Sequence, residues 1–407
     1  MKILIITPYF HPENFRINDL AVEYNNKGHK VSVLTPIPNY PDGKFYSGYG
    51  LLKRRQECWN GIDIYRSLLI PRGSGSNIML AISWISSVFG NLLASLFILK
   101  NRFDLIFVFG PSPFTICLPA IFIKKIKKIP ICFWVLDLWP ESVSSAGKLK
   151  TKLIPKLLMP IIRFTYNNCD KVLVSSPGFI DSIAEKNIDK GKIHFFPQWA
   201  EPIFKRVENT QVKLSVVPPN SFIVMFAGNI GESQDFDSIL KAAEKLKENK
   251  KIQWIILGSG RKELWVQEKI KQLELEDVFH TLGKHSLEDM PDYYSLADAM
   301  LISLKNEYIF SLTVPAKLQS YLACGKPILA MMNGEGAKIV DEAGAGLTCE
   351  AENPEALAKN VLEMYNGGQT RMDRMGKNAV SYYRRNFDRS LLLDRFEKLF
   401  ESAITQT

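Results

Sequence analysis

Short apolar runs of strand length alternate with longer amphipathic stretches along almost the whole chain, in two series separated by an irregular segment. The first series is KILIIT, HKVSVLT, IDIYRSL, DLIFVFG, IPICFWVLD and KVLVSS, with a helical segment near Asp19 to Lys27. After Phe195-Phe196-Pro197 the pattern lapses through Pro202 and Pro218-Pro219. A second series then begins: FIVMFAG, IQWIILG, VFHTLG, AMLIS and KPILAMM. Such alternation specifies βαβ units whose parallel strands are buried on both faces. The expectation is therefore an α/β protein of two doubly wound, Rossmann-like domains, residues 1–200 and 201–387. A chain of 407 residues also exceeds what one core usually supports. The segment 388–407, with Leu392, Leu393, Phe396, Leu399 and Phe400 on one stripe, reads as an amphipathic helix packing back on the first domain.

Six scattered cysteines without a C-x-x-C pair argue against a disulfide framework or a zinc site and fit a reducing cytoplasm. The opening MKILIITPYF is too short an apolar run for a signal peptide and reads as a first strand. The formal net charge of +9 is unevenly placed. Residues 1–200 carry 25 Lys and Arg against 13 Asp and Glu, a net of +12, and the remainder carries a net of −3. Nucleic acid, anionic lipid or a phosphorylated substrate would each be served by that bias. The basic residues lack the interleaved aromatics of a nucleic-acid module, so nucleic acid is the weakest of the three.

Asn77 to Leu99 contains no charged residue and is close to the roughly 20 residues that a membrane span needs. Asn91 and four serines within it, and its place between two strands of one sheet, argue against spanning. Two readings remain: a buried crossover helix, or a helix whose apolar face lies in the bilayer surface near Arg72, Lys100 and Arg102. Lys124, Lys125, Lys127, Lys128, Lys148, Lys150, Lys152 and Lys156 would add attraction to anionic lipid.

Three elements carry phosphate chemistry. Gly228-Asn229-Ile230-Gly231 follows FIVMFA and precedes a helix from about Phe236, so its amides can approach an anion. Gly258-Ser259-Gly260 follows IQWIIL and delivers Arg261 and Lys262 to the same sheet edge. In SLTVPAKLQSYLACGKP, Pro315 suits the first position of a helix and Gly325 its end, which puts Lys317 in the first turn. A cation there opposes the helix dipole unless an anion sits beside it; the alternative is a solvated side chain. All three lie at carboxyl ends of strands, where open α/β sheets bind ligands. The second half reads as a nucleotide-phosphate domain.

The combination of ACGKPI after a helix with the GNIG and GSGR turns resembles the donor domain of family 4 glycosyltransferases of GT-B fold. The segments Pro12 to Ala21, Pro38 to Lys44, Gly110 to Pro113 and Asp137 to Ser142 are similar to the WbuB-like branch of that family. The resemblance implies two domains facing an interdomain cleft, and retaining transfer from a UDP-activated N-acetylated amino sugar such as N-acetyl-L-fucosamine. It also implies a polyprenyl-diphosphate-linked acceptor, a role in bacterial surface polysaccharide assembly, and no metal or other cofactor. The expected location is the inner face of the cytoplasmic membrane. Carried onto this chain, the donor site comprises Gly228, Asn229, Gly231, Gly260, Arg261, Val314, Pro315, Lys317 and Ser320, with Lys284 and His285 against uracil. The chain departs from the broad family where Leu312 and Ser320 replace two glutamates, and where Asn229 and Gln234 replace an arginine and a lysine.

In the first half, Asp137 and Glu141 follow ICFWVL and are candidate catalytic carboxylates with Arg261 and Lys317; a helix-capping role for Asp137 is equally open. Asn14 and Arg16, in the loop after the first strand, are candidates for acceptor or phosphate contact. Two other functions remain open at this point: a UDP-amino-sugar 2-epimerase of the same fold, and a non-catalytic sugar or lipid-carrier module.

Overall fold

A computed structural model describes residues 1–73, 76–142 and 153–405. Lys148, Lys150 and Lys152 lie outside the described residues. The chain forms two compact units, Met1–Phe196 with the segment from Leu393 onward, and Pro197–Leu392.

The first unit contains β1 (Lys2–Ile6), α1 (Arg16–Asn26), β2 (Lys30–Pro36), β3 (Gln56–Trp59), β4 (Ile62–Ser67) and α2 (Asn77–Ile98). These are followed by β5 (Leu105–Gly110), α3 (Leu118–Lys127), β6 (Ile131–Val135), α4 (Leu153–Asn168), β7 (Lys171–Val174) and β8 (Ile193–Phe195). The sheet order is β3-β4-β2-β1-β5-β6-β7-β8. Only the β3–β4 pair is antiparallel. Chain direction across the sheet reverses at β1, between β2 and β5, which makes that edge the topological switch point. β5 and β6 are buried along their whole length, which is why they read as unbroken apolar runs.

The helix Arg389–Thr405 supplies the last part of this unit. Phe396 packs 5.3 Å from the Phe107 ring and 5.1 Å from Trp134. The Tyr24 hydroxyl donates to the Leu393 carbonyl at 3.0 Å. The return therefore begins within the helix, at Leu393, where the apolar stripe meets the sheet.

α2 is the one described helix long and apolar enough to cross a membrane, yet its inner face packs on β2, β4 and α3. Asn91 and Ser95 are fully buried, and the Ser95 hydroxyl donates to the Asn91 carbonyl at 2.7 Å. Its outer face leaves Ile78, Ile85, Phe89, Leu93 and Phe97 exposed, so only 33% of its most apolar stretch is buried. α2 is a crossover helix with an uncovered apolar outer face.

The second unit is a parallel sheet of β9 (Phe222–Ala227), β10 (Ile252–Leu257), β11 (Phe279–Gly283), β12 (Ala299–Ser303), β13 (Ile328–Met331) and β14 (Gly346–Cys349). The order is β11-β10-β9-β12-β13-β14, with the switch point between β9 and β12. Helices such as Phe236–Lys245 and Ala316–Ala323 pack on its two faces through separate apolar clusters.

Candidate functional site

The edge of the second sheet at β9 and β12 is built by close backbone packing. Gly228 donates its N–H to the Leu257 carbonyl at 2.9 Å, and Ile230 donates to Ser259 at 2.9 Å, so the two glycine turns lie against each other. At Gly258, with φ +137°, a β-carbon would collide with the Gly228 carbonyl oxygen. Gly260 is equally tight against the Ile230 carbonyl and Asn229, and Gly231 against the Asn229 amide. Across the switch point, the Lys305 N–H donates to the Ser233 carbonyl at 3.0 Å.

Lys317 occupies this edge. Pro315 is the N-cap residue of Ala316–Ala323, one position earlier than the spacing predicts, and Lys317 still falls in the first turn. One helical turn later, the Tyr321 hydroxyl receives the Ala227 N–H at 3.1 Å and lies 3.2 Å from the Ala227 carbonyl. That contact fastens the helix to the end of β9 and lays Lys317 across it. The Lys317 ammonium nitrogen is 3.8 Å from the centre of the Phe226 ring, and a β-carbon on Gly228 would approach it at 3.0 Å. It is buried without a hydrogen-bond partner among the described residues. Burial lowers its pKa to about 7. Burial without a hydrogen bond disfavours the charged form of this group.

Lys262 and Lys305, delivered after β10 and β12, converge on Glu232 at 3.1 and 3.8 Å. Arg261 is exposed and has no ion pair among the described residues. The positive charge at this edge thus comes from the ends of β10 and β12 and from the first turn of the helix Ala316–Ala323.

Two protein families match consecutive parts of the chain: "Glycosyl transferase 4-like domain" over residues 14–199, and "Glycosyl transferases group 1" over residues 208–381. The chain is a glycosyltransferase of the GT-B fold. It is 29% identical to probable glycosyltransferase WbjE of Pseudomonas aeruginosa over 67% of this chain and 69% of that one. It is 24% identical to the putative colanic acid biosynthesis glycosyl transferase WcaI of Escherichia coli over 97% and 98%. Among solved structures, Anabaena HepE in complex with UDP superposes with a TM-score of 0.72 at 14% identity, covering 99% of this chain and all of that one.

Other predicted residues of the glycosyltransferase fall as follows. Val314 and Ser320 are buried beside Lys317, and Lys284 is exposed after β11. His285 is held by its own strand end, 3.1 Å from the Leu282 carbonyl and against the Tyr293 ring at 4.4 Å. In the first unit, the Asp137 carboxylate accepts from the Ser112 N–H at 3.0 Å and the Ser112 hydroxyl at 2.7 Å. It stays exposed at the end of β6 and ties down the loop after β5. Glu141 accepts from buried Lys186 at 2.7 Å and from the Ser182 hydroxyl at 3.2 Å, an ion pair within the first unit. Asn14 is exposed, while the Arg16 side chain is partly buried at the start of α1.

Sequence reasoning passed over Glu13, Tyr321, Glu232 and Lys305. Glu13 is buried beneath the loop after β1, accepting from Asn39 N–H at 2.9 Å and Tyr40 N–H at 2.7 Å, and burial raises its pKa to about 7. The available signal for Tyr321 was its spacing four residues from Lys317. For the Tyr321→Phe variant, loss of the Ala227 contact is expected to destabilise the protein by about 1–3 kcal/mol, read from urea unfolding. Unchanged stability would remove the anchoring role.

Proposed function

We propose that the glycosyltransferase moves a sugar from a UDP-activated donor, held at the β9–β12 edge, to a polyprenyl-diphosphate-linked saccharide held by the first unit. The observation that carries the donor half is the buried, unpartnered Lys317 ammonium beside two interlocked glycine turns. A donor diphosphate satisfies that cation, restores its proton, and receives further charge from Arg261, Lys262 and Lys305. As the sugar departs, negative charge grows on the UDP oxygen. Fixed cations and turn amides stabilise it there without a metal ion. Retention at the anomeric carbon follows the family resemblance.

UDP is supported by the HepE complex, and a role in surface polysaccharide assembly by the name of WcaI. The donor sugar we assign is an N-acetylated amino sugar of the N-acetyl-L-fucosamine type. Asp137, exposed with one carboxylate oxygen on Ser112, is the first unit's candidate to orient an acceptor hydroxyl or take its proton. The outer face of α2, with Lys125 and Lys127 of neighbouring α3 and Lys128 just after it, suits attachment to the anionic cytoplasmic face of a membrane.

Thermal unfolding with UDP, ADP and inorganic diphosphate tests the donor reading, since a ligand that binds the folded state raises its melting point. UDP at about 100 times its Kd is expected to stabilise by about 2.7 kcal/mol. UDP-sugars that shift the midpoint are then assayed for transfer with membrane extracts. No stabilisation by UDP, or equal stabilisation by ADP, would overturn the uridine assignment.

A further inference from the structure

We propose that Glu232 is a built-in counter-ion: it holds Lys262 and Lys305 in readiness at the β9–β12 edge, and a nucleoside diphosphate must displace it to reach them. Glu232 is then a positioning residue that lowers donor affinity and sets its dependence on salt. The inference rests on the reading of this edge as the donor site.

A carboxylate is out of place here. Glu232 directly follows Gly231, the last residue of the GNIG turn whose amides are suited to an anion. Negative charge beside a bound diphosphate opposes its binding. The side chain is 67% exposed, so filling the core does not account for it.

Main-chain bonds bring two lysines to it from opposite sides of the switch point. Lys262, after β10, donates its N–H to the Ile230 carbonyl at 3.1 Å, and Lys305, after β12, donates its N–H to the Ser233 carbonyl at 3.0 Å. Ile230 and Ser233 bracket Glu232 in the chain. Both ammonium groups then meet one carboxylate oxygen, Glu232 Oε2, at 3.1 and 3.8 Å. The Lys262 ammonium is steadied further by the Trp265 ring, 4.7 Å from its centre. Among the described residues neither lysine has a second carboxylate partner.

Such a contact is built for exchange. The two lysine side chains are 24% and 32% exposed, and ion pairs open to water are weak. A diphosphate carries more charge than one carboxylate and presents more oxygens, so it takes both lysines from Glu232. The lysines are already gathered, which lowers the entropy cost of engaging them. Arg261, without an ion pair among the described residues, needs no exchange, and Lys317 is buried away from Glu232's solvent-facing side. Lys262 and Lys305 are thus the part of the cationic edge that the protein neutralises for itself.

The test is isothermal titration of the full chain with UDP at about 0.05 and 0.3 M sodium chloride. Glu232→Gln is expected to bind UDP about three- to tenfold more tightly at the lower salt, because two exposed ion pairs no longer have to be broken. The gain should shrink at the higher salt, where exposed charges are screened. In a Lys262→Gln, Lys305→Gln background, adding Glu232→Gln should change UDP affinity by less than about twofold, since the carboxylate acts through those lysines. An unchanged unfolding midpoint without ligand establishes that the surface variant folds. Unchanged or weaker UDP binding in Glu232→Gln overturns the counter-ion, and weaker binding would make the carboxylate part of the ligand's own contacts. An equal gain in the background without the two lysines overturns the exchange. If UDP binds none of the proteins, wild type included, the donor reading itself fails; if it binds wild type and Glu232→Gln alike, only the counter-ion does.

Discussion

Replacing Lys317 by methionine is expected to slow sugar transfer severely while making the protein more stable. The ammonium sits on the Phe226 ring and against Gly228 with no hydrogen-bond partner among the described residues, and its pKa falls to about 7. Each pKa unit is about 1.4 kcal/mol, so holding this group in the fold instead of in water costs on the order of a few kcal/mol. The sign follows from proton counting. Between pH 7 and the ordinary lysine value the unfolded chain binds more protons, so stability rises with pH across that window. The penalty is present in full below about pH 7. Lys317→Met should therefore gain several degrees in melting temperature at pH 6.5, and the gain should shrink as pH climbs through 9. Activity should move the other way, by about 100- to 1,000-fold in kcat, as for loss of one fixed group stabilising a developing anion. UDP affinity in the wild type should weaken as pH rises above 7, and in the variant should be low and flat. A variant that is no more stable, or that keeps its activity, would show that Lys317 is an ordinary solvated lysine.

The second large effect is at Glu141, where stability and not chemistry is expected to fail. Its carboxylate pairs with Lys186, whose side chain is only 5% exposed and also donates to the Ser182 carbonyl at 2.9 Å. Removing one partner of a buried pair leaves the other charge without compensation, at about 3–5 kcal/mol. Glu141→Gln should lose close to that amount in urea unfolding while retaining transfer per folded molecule. The double variant Glu141→Leu, Lys186→Met should recover most of the loss. Loss of transfer with stability intact would show that Glu141 acts in catalysis.

Most of the strands were legible because they are buried on both faces and therefore apolar without interruption. β3, β8 and β14 were not; they are short edge strands of three or four residues, and QECW, IHF and GLTC carry no apolar run. Edges need only one partner, so pairing with a neighbour selects them more than composition does. The glycine turns and Lys317 were legible for a related reason. A turn that must accept another backbone within van der Waals distance admits little but glycine, and a lysine in a first helical turn opposes the dipole. The partner of Glu141 was not legible because the D-x-x-x-E spacing after a strand reads alike whether the glutamate faces substrate or a buried lysine 45 residues away.

The amino-acid pattern by itself determined two α/β units, the place of the break between the two series, and the strand ends at which the glycine turns and Lys317 stand. These follow from rules that act over a few residues: which side chains tolerate burial, and which turns the backbone permits. Tertiary structure decided which side chains meet at those ends. Tyr321 reaches Ala227 to lay Lys317 over Phe226, Lys262 and Lys305 share Glu232, and α2 hides Asn91 while leaving Phe89 uncovered. Each of these joins groups distant in sequence or selects one face of a helix, and local periodicity carries no information about the neighbour that a folded chain will bring alongside.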